Sequence, residues 1–91
     1  MKEEVRTLTV NLETGLHCRP SASFVKLANQ FQSDIFVEKN GEKVNGKSIM
    51  GLLILAIEQG SQIRISAKGP DATLALDALE NLVKSDFSCP V

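Results

Sequence analysis

Neither tryptophan nor tyrosine occurs among the 91 residues, and only one histidine does. Four phenylalanines make up the whole aromatic complement, which leaves little for stacking on nucleic-acid bases. A surplus of either charge is missing too. Ten basic side chains face eleven acidic ones, for a net charge of −1, and a nucleic-acid binder would normally carry a basic excess. The two cysteines, Cys18 and Cys89, lie far apart, form no CxxC pair and have a single histidine for company. That is too few soft ligands for a structural metal site, and no metal or cofactor is expected. Long apolar runs are absent as well. The greasiest stretch, IMGLLILAI, has nine residues, whereas a membrane span needs about 20. The opening MKEEVRTLTV carries charge where a secretory signal needs an apolar run. The expectation is a soluble, cytoplasmic, monomeric protein with reduced thiols, no membrane insertion and no nucleic-acid partner.

The balance of the chain is that of an ordinary globular protein, with 43% hydrophobic and 23% charged residues. Its length suits a single domain over residues 1–91, with a core over 4–84 and a loose tail over 85–91. Leu8, Val10 and Leu12 alternate with Thr7, Thr9 and Asn11, the period of a half-buried strand. Thr14 and Gly15 break it. From Pro20 onward, Phe24, Leu27, Ala28 and Phe31 fall at helical spacing, so a helix starts at or just before Pro20. Asn40-Gly41 between strand-like residues predicts a hairpin with strands near 34–39 and 42–45. Ser48 is placed as the N-cap of a second helix carrying Ile49, Leu52, Leu53 and Ala56, with Gly60 at its end. Ile63, Ile65 and Ala67 alternate with Gln62, Arg64 and Ser66 as a further strand. Ala72, Ala75, Leu76, Leu79 and Val83 then share one face of a last helix.

The order β-α-β-β-α-β-α predicts an α+β fold of two layers, a mainly antiparallel sheet covered by helices on one side. The threonines and Arg64 would point into water from the other side. A ferredoxin-like fold shares this order up to its fourth strand.

The lone histidine, His17, sits in TGLHCRP, between a glycine turn and the predicted helix start. There it meets the positive end of the helix dipole and unpaired backbone N–H groups, a ready site for phosphate. Arg19 adds a permanent charge and a planar fork suited to phosphate oxygens. The same field should hold the imidazole below its usual pKa of about 6.5, neutral and nucleophilic near pH 7. A neutral ring nitrogen can attack phosphorus, and the helix end and Arg19 can hold the resulting dianion. The alternative is a solvated loop histidine. No second catalytic group accompanies His17, which favours a carrier over an independent catalyst.

TGLHCRPSASFVKLANQF resembles the active-site loop and first helix of HPr, the histidine-containing phosphocarrier family of the bacterial phosphotransferase system. VNGKSIMGLLILAIEQGSQIRISAKGPDATLALDALENLV resembles the second half of the same family. The resemblance implies that His17 accepts a phosphoryl group on Nδ1 from phospho-enzyme I, charged by phosphoenolpyruvate. It implies delivery onward to a histidine of a sugar-specific EIIA domain, with Arg19 stabilising the phosphate and no independent turnover of a small substrate. The family fold is an open-faced β-sandwich, a four-stranded antiparallel sheet with three helices on one face, which is preferred to the ferredoxin-like arrangement. The family also implies phosphorylation of Ser48 by an ATP-dependent kinase in some bacteria, and an apolar docking patch at Ile49, Met50 and Leu53. Of the second helix, Leu52 and Ala56 are assigned to the interior and Met50 to the surface.

Two positions depart from the family pattern. Cys18 stands where a small residue or threonine is usual, and Gly46 precedes Lys47 next to the kinase target. A second reading is a regulatory module, or a nitrogen-related phosphorelay carrier, acting through Ser48 and the Met50 patch. The regulatory branch of the family lacks the active histidine, which is present here. A thiol enzyme built on Cys18 and His17 would lack an orienting acid.

Overall fold

The computed structural model describes residues 3–12 and 18–87, with the backbone alone at Cys18. Seven elements follow in the order β1 (Glu3–Thr9), α1 (Cys18–Ala28), β2 (Asp34–Lys39), β3 (Glu42–Asn45), α2 (Ile49–Ile54), β4 (Gln62–Lys68) and α3 (Ala72–Lys84). The strands form one sheet in the order β1-β4-β2-β3, with every neighbouring pair antiparallel. This is the open-faced sandwich: β1 pairs only with β4 and stands at an edge.

Alternation decides the two faces of the sheet. Leu8, Ile35, Val37, Ile63, Ile65 and Ala67 are buried on one side, against Phe24 and Ala28 of α1, Leu52 of α2, and Ala75, Leu76 and Leu79 of α3. Thr7, Thr9, Gln62 and Arg64 face water on the other. Ser66 departs from this pattern, at 7% exposure on the open face. Its strand is central, and in register Ser66 lies between Val5 and Phe36, whose larger side chains shut out solvent. Lys43 covers the Phe36 ring, with Nζ 4.9 Å from the centroid, a cation–π contact on the open face.

The β2–β3 hairpin turns at Asn40 and Gly41 with φ of 52° and 85°, the positive pair that a two-residue turn of this hand requires. Helix α1 begins two residues before Pro20. The proline costs no hydrogen bond, because the first four N–H groups of a helix have no partner within it. The helix ends at Ala28, and Phe31 is carried on a closing turn (Gln30 N to Leu27 O at 3.0 Å, Phe31 N to Ala28 O at 3.2 Å).

Helix α2 is shorter than its apolar spacing predicts. It stops at Ile54, and Ala56, expected inside, is exposed with φ of 51°. Had the helix run on to Gly60, Ile57 would share the outward face of Leu53 and Ile54, three and four residues earlier. The break at Ala56 instead turns Ile57 into the core at 3% exposure, beside Leu55 at 5%. Lys39 Nζ donates to the Ala56 carbonyl at 2.8 Å and so satisfies the helix end.

Two polar contacts tie the layers together. Asp71, just before α3, accepts from Gln32 N and Ser33 N, each at 2.9 Å, and from Ser33 Oγ at 2.5 Å. These donors, the Ser33 hydroxyl first, hold the Asp71 carboxyl below its ordinary pKa of 3.8. On the other flank Arg6 Nη1 lies 2.6 Å from Asp77 and 2.8 Å from Glu80, while Lys84 reaches Glu80 at 2.6 Å. Lys84 and then Arg6 hold the Glu80 carboxyl below its ordinary 4.5.

Of the tail expected to be loose, Ser85, Asp86 and Phe87 are bound. Phe87 N donates to Leu82 O at 2.8 Å and Asp86 N to Val83 O at 3.1 Å, the paired bonds of a Schellman cap, and Phe87 packs against the core.

Candidate functional site

His17 lies outside the described residues, with 13–16 before it, so the geometry of its imidazole is not part of the structure. Both flanks are. On the incoming side, Val10 N donates to Ser61 O at 2.9 Å, Gly60 N donates back to Val10 O at 2.7 Å, and Leu12 packs on the core. On the outgoing side, α1 begins at Cys18, directly after His17 in sequence, and is fastened through fully buried Ser21 and Phe24. The chain therefore delivers His17 to the N-terminal end of α1. No acidic residue occupies the first turn of that helix to oppose an anion, and Arg19 in the same turn is exposed. A helix start with free N–H groups and one exposed guanidinium is an arrangement that can hold phosphate oxygens.

The second group of candidates lies on α2, which packs against α1. Ser48 has extended backbone angles (φ −124°, ψ 118°), and its Oγ accepts from Gly51 N at 3.1 Å, the geometry of an N-cap. Behind it Ile49, Met50 and Leu53 are 37%, 68% and 38% exposed, while Leu52 is fully buried. The division of α2 into an outward and an inward side is thus as the spacing predicts, apart from Ala56. Sequence reasoning missed one member: Ile54 is 62% exposed and extends the patch. Its place four residues after Met50 was the available signal, since i and i+4 share a helix face.

Lysines close the neighbouring chain ends. Lys39 sits on the end of α2, and Lys47 Nζ donates to Phe31 O at 2.8 Å beyond the end of α1. Among the described residues no group of three or more His, Cys, Asp or Glu side chains is placed to hold a metal ion. Nor is any helix among them long and apolar enough to cross a membrane.

Known proteins share this arrangement along nearly the whole chain. The family model PTS-HPr, described as the PTS HPr component phosphorylation site, matches residues 5–85. The chain belongs to the HPr family. Among curated HPr-family proteins, the HPr-like protein Crh of Bacillus subtilis (strain 168) is 49% identical over 77 residues, covering 85% of this chain and 91% of Crh. The crystal structure of the phosphocarrier protein HPr from Bacillus anthracis str. Ames superposes with a TM-score of 0.86 at 49% identity, over 89% of this chain and 96% of that one. A crystal structure of Bacillus subtilis Crh, described as a swapped-domain dimer, gives a TM-score of 0.75 at 46% identity, over 90% and 94% of the two chains.

Proposed function

We propose that this HPr-family protein is a cytoplasmic phosphocarrier in which His17 takes a phosphoryl group from phospho-enzyme I and passes it to an EIIA domain. The observation that carries the reading is the end of α1. An exposed Arg19 and a first turn free of acidic residues stand directly after the chain's only histidine. In the forward step a lone pair of the neutral imidazole forms the N–P bond as the P–N bond to the donor breaks. The helix N–H groups and Arg19 offset the charge of the transferred group. Such transfer rests mainly on positioning and charge stabilisation, so one histidine suffices when the partner proteins supply the rest. The patch Ile49, Met50, Leu53 and Ile54 on the adjoining helix is the surface on which those partners dock.

The test is incubation with phosphoenolpyruvate and a generic enzyme I, read by intact mass before and after brief acid treatment. The expected result is one phosphate that acid removes. No gain, with a control carrier labelled in the same tube, rejects the proposal.

A second reading is favoured by the 49% identity to Crh, whose solution structure is described as the catabolite repression HPr. Here Ser48 is the modified residue, phosphorylated by an ATP-dependent kinase, and the α2 patch carries the regulatory contact. A phosphate on Ser48 Oγ would sit at the start of α2, so its effect would come from charge beside the patch rather than from loss of the helix. An acid-stable phosphate acquired from ATP and a serine kinase, without label from phosphoenolpyruvate, would select this reading. The proposed resting state is a monomer. A dimer of the kind described for Crh would be seen as a doubled mass in sedimentation.

A further inference from the structure

The chain contains five asparagines, and two of them, Asn40 and Asn45, precede glycine, while Asn11, Asn29 and Asn81 precede leucine or glutamine. Asparagine before glycine is prone to a spontaneous reaction, because no side chain shields the following backbone nitrogen. We propose that Asn40-Gly41 is a site of spontaneous deamidation and isomerisation, and that the fold locks the identical pair Asn45-Gly46 against the same reaction.

At the hairpin tip Asn40 and Gly41 are both exposed, and nothing lies within 4 Å of where a Gly41 Cβ would be. Among the described residues no hydrogen bond holds the Asn40 side chain or the Gly41 N–H. The nucleophile and the electrophile are both free to meet. Six residues along the chain every one of these conditions is reversed. Gly46 is buried and its N–H donates to Ile35 O at 2.7 Å. A Cβ there would lie 2.7 Å from Ile35 Cγ2, so the backbone is pressed against β2 with no room to turn. The Asn45 side chain is occupied as well, since its Oδ1 accepts from Lys47 N at 2.9 Å, and its carbonyl accepts from Ser48 N at 3.2 Å.

The reaction needs only water. The Gly41 nitrogen, losing its proton, bonds to Asn40 Cγ while the Cγ–Nδ2 bond breaks. Ammonia leaves with the proton, and a five-membered succinimide remains. Water then opens either carbonyl, giving aspartate if it adds at Cγ or isoaspartate if it adds at the main-chain carbonyl. Both products place a carboxylate at the tip between Lys39 and Glu42. The isoaspartate also lengthens the backbone by one methylene in a turn that tolerates only two residues, which loosens the β2–β3 register ahead of Ser48.

The test ages the full native chain in mildly alkaline buffer made with heavy-oxygen water. Peptide mapping follows oxygen incorporation at each asparagine, and an isoaspartyl methyltransferase serves as a second probe. Conversion at Asn40 should exceed that at Asn45 by at least about tenfold, because a bonded, buried N–H reacts only in the small locally opened fraction. In strong denaturant the two rates should converge, since the dipeptides are the same. Asn40→Gln should abolish the native-state conversion and Asn45→Gln should leave it. Equal rates in the native protein, faster conversion at Asn45, or a preference that persists in denaturant would each overturn the proposal.

Discussion

A single hydroxyl at Ser48 serves the fold and, in the regulatory reading, a modification. Its bond to Gly51 N caps a helix of only six residues, too short to persist without capping and packing. Ser48→Ala should therefore cost about 1 kcal/mol, read as a shift in the denaturant midpoint. It should leave phosphoenolpyruvate-dependent labelling intact. His17→Ala should do the reverse, with stability unchanged and the acid-labile phosphate gone; label retained in that variant would move the carrier site elsewhere. At the far end of the chain Asp86 occupies the C′ position of the α3 cap with φ of 54°, a conformation that glycine adopts without a Cβ clash. Asp86→Gly should stabilise the protein by roughly 0.5–1 kcal/mol, the usual gain at such a cap, and thermal melting will show it.

Helix α2 divides its side chains between two tasks. Leu52 is fully buried and its truncation to alanine should cost about 2–5 kcal/mol, as cavity-forming changes in cores do. Met50 and Ile54, at 68% and 62% exposure, contribute almost nothing to the core. Met50→Asp or Ile54→Asp should change stability by less than about 0.5 kcal/mol. If the patch is the docking surface, both should slow transfer from phospho-enzyme I through a raised apparent KM. Unchanged transfer kinetics would remove the patch from the partner interface. The contrast between buried Leu52 and exposed Met50 makes the experiment interpretable, since folding and docking are read from different residues of one helix.

Across the whole molecule, stability is linked to pH through the carboxylates that join the layers. Asp71 and Glu80 both lie below their ordinary values of 3.8 and 4.5 in the fold, Asp71 through Ser33 and Gln32 and Glu80 through Lys84 and Arg6. A depressed carboxyl contributes stability in full above its unfolded pKa and loses it as pH falls through the folded one. The protein should thus hold its stability from neutrality down to the ordinary carboxylate range and lose it below. Asp71→Asn should be less stable at pH 7 and show a flatter acid slope in denaturant midpoints measured against pH. An unchanged slope would mean that the three donors to Asp71 do not favour its charged form.

The amino-acid sequence by itself determined the elements and most of their faces. Alternation at Leu8, Ile63, Ile65 and Ala67, helical spacing at Ala72 to Val83, and Asn40-Gly41 at the hairpin are local signals, each readable within a few residues. The chemistry proposed for His17 and Arg19 was legible for the same reason, since the histidine, the arginine and the helix start are neighbours in sequence. What only the tertiary structure decided depends on distant residues. Ser66 is buried because Val5 and Phe36 flank it from other strands. Helix α2 ends at Ile54 because Ile57 gains more from the core than from continuing the helix. Phe87 is held by the cap on α3 rather than released into the tail. The same division separates Asn40 from Asn45. Their dipeptides are identical, and the contact with Ile35, ten residues earlier in the chain, makes the difference. Burial is a property of the assembled layers, and no local pattern encodes which neighbour will close over a given side chain.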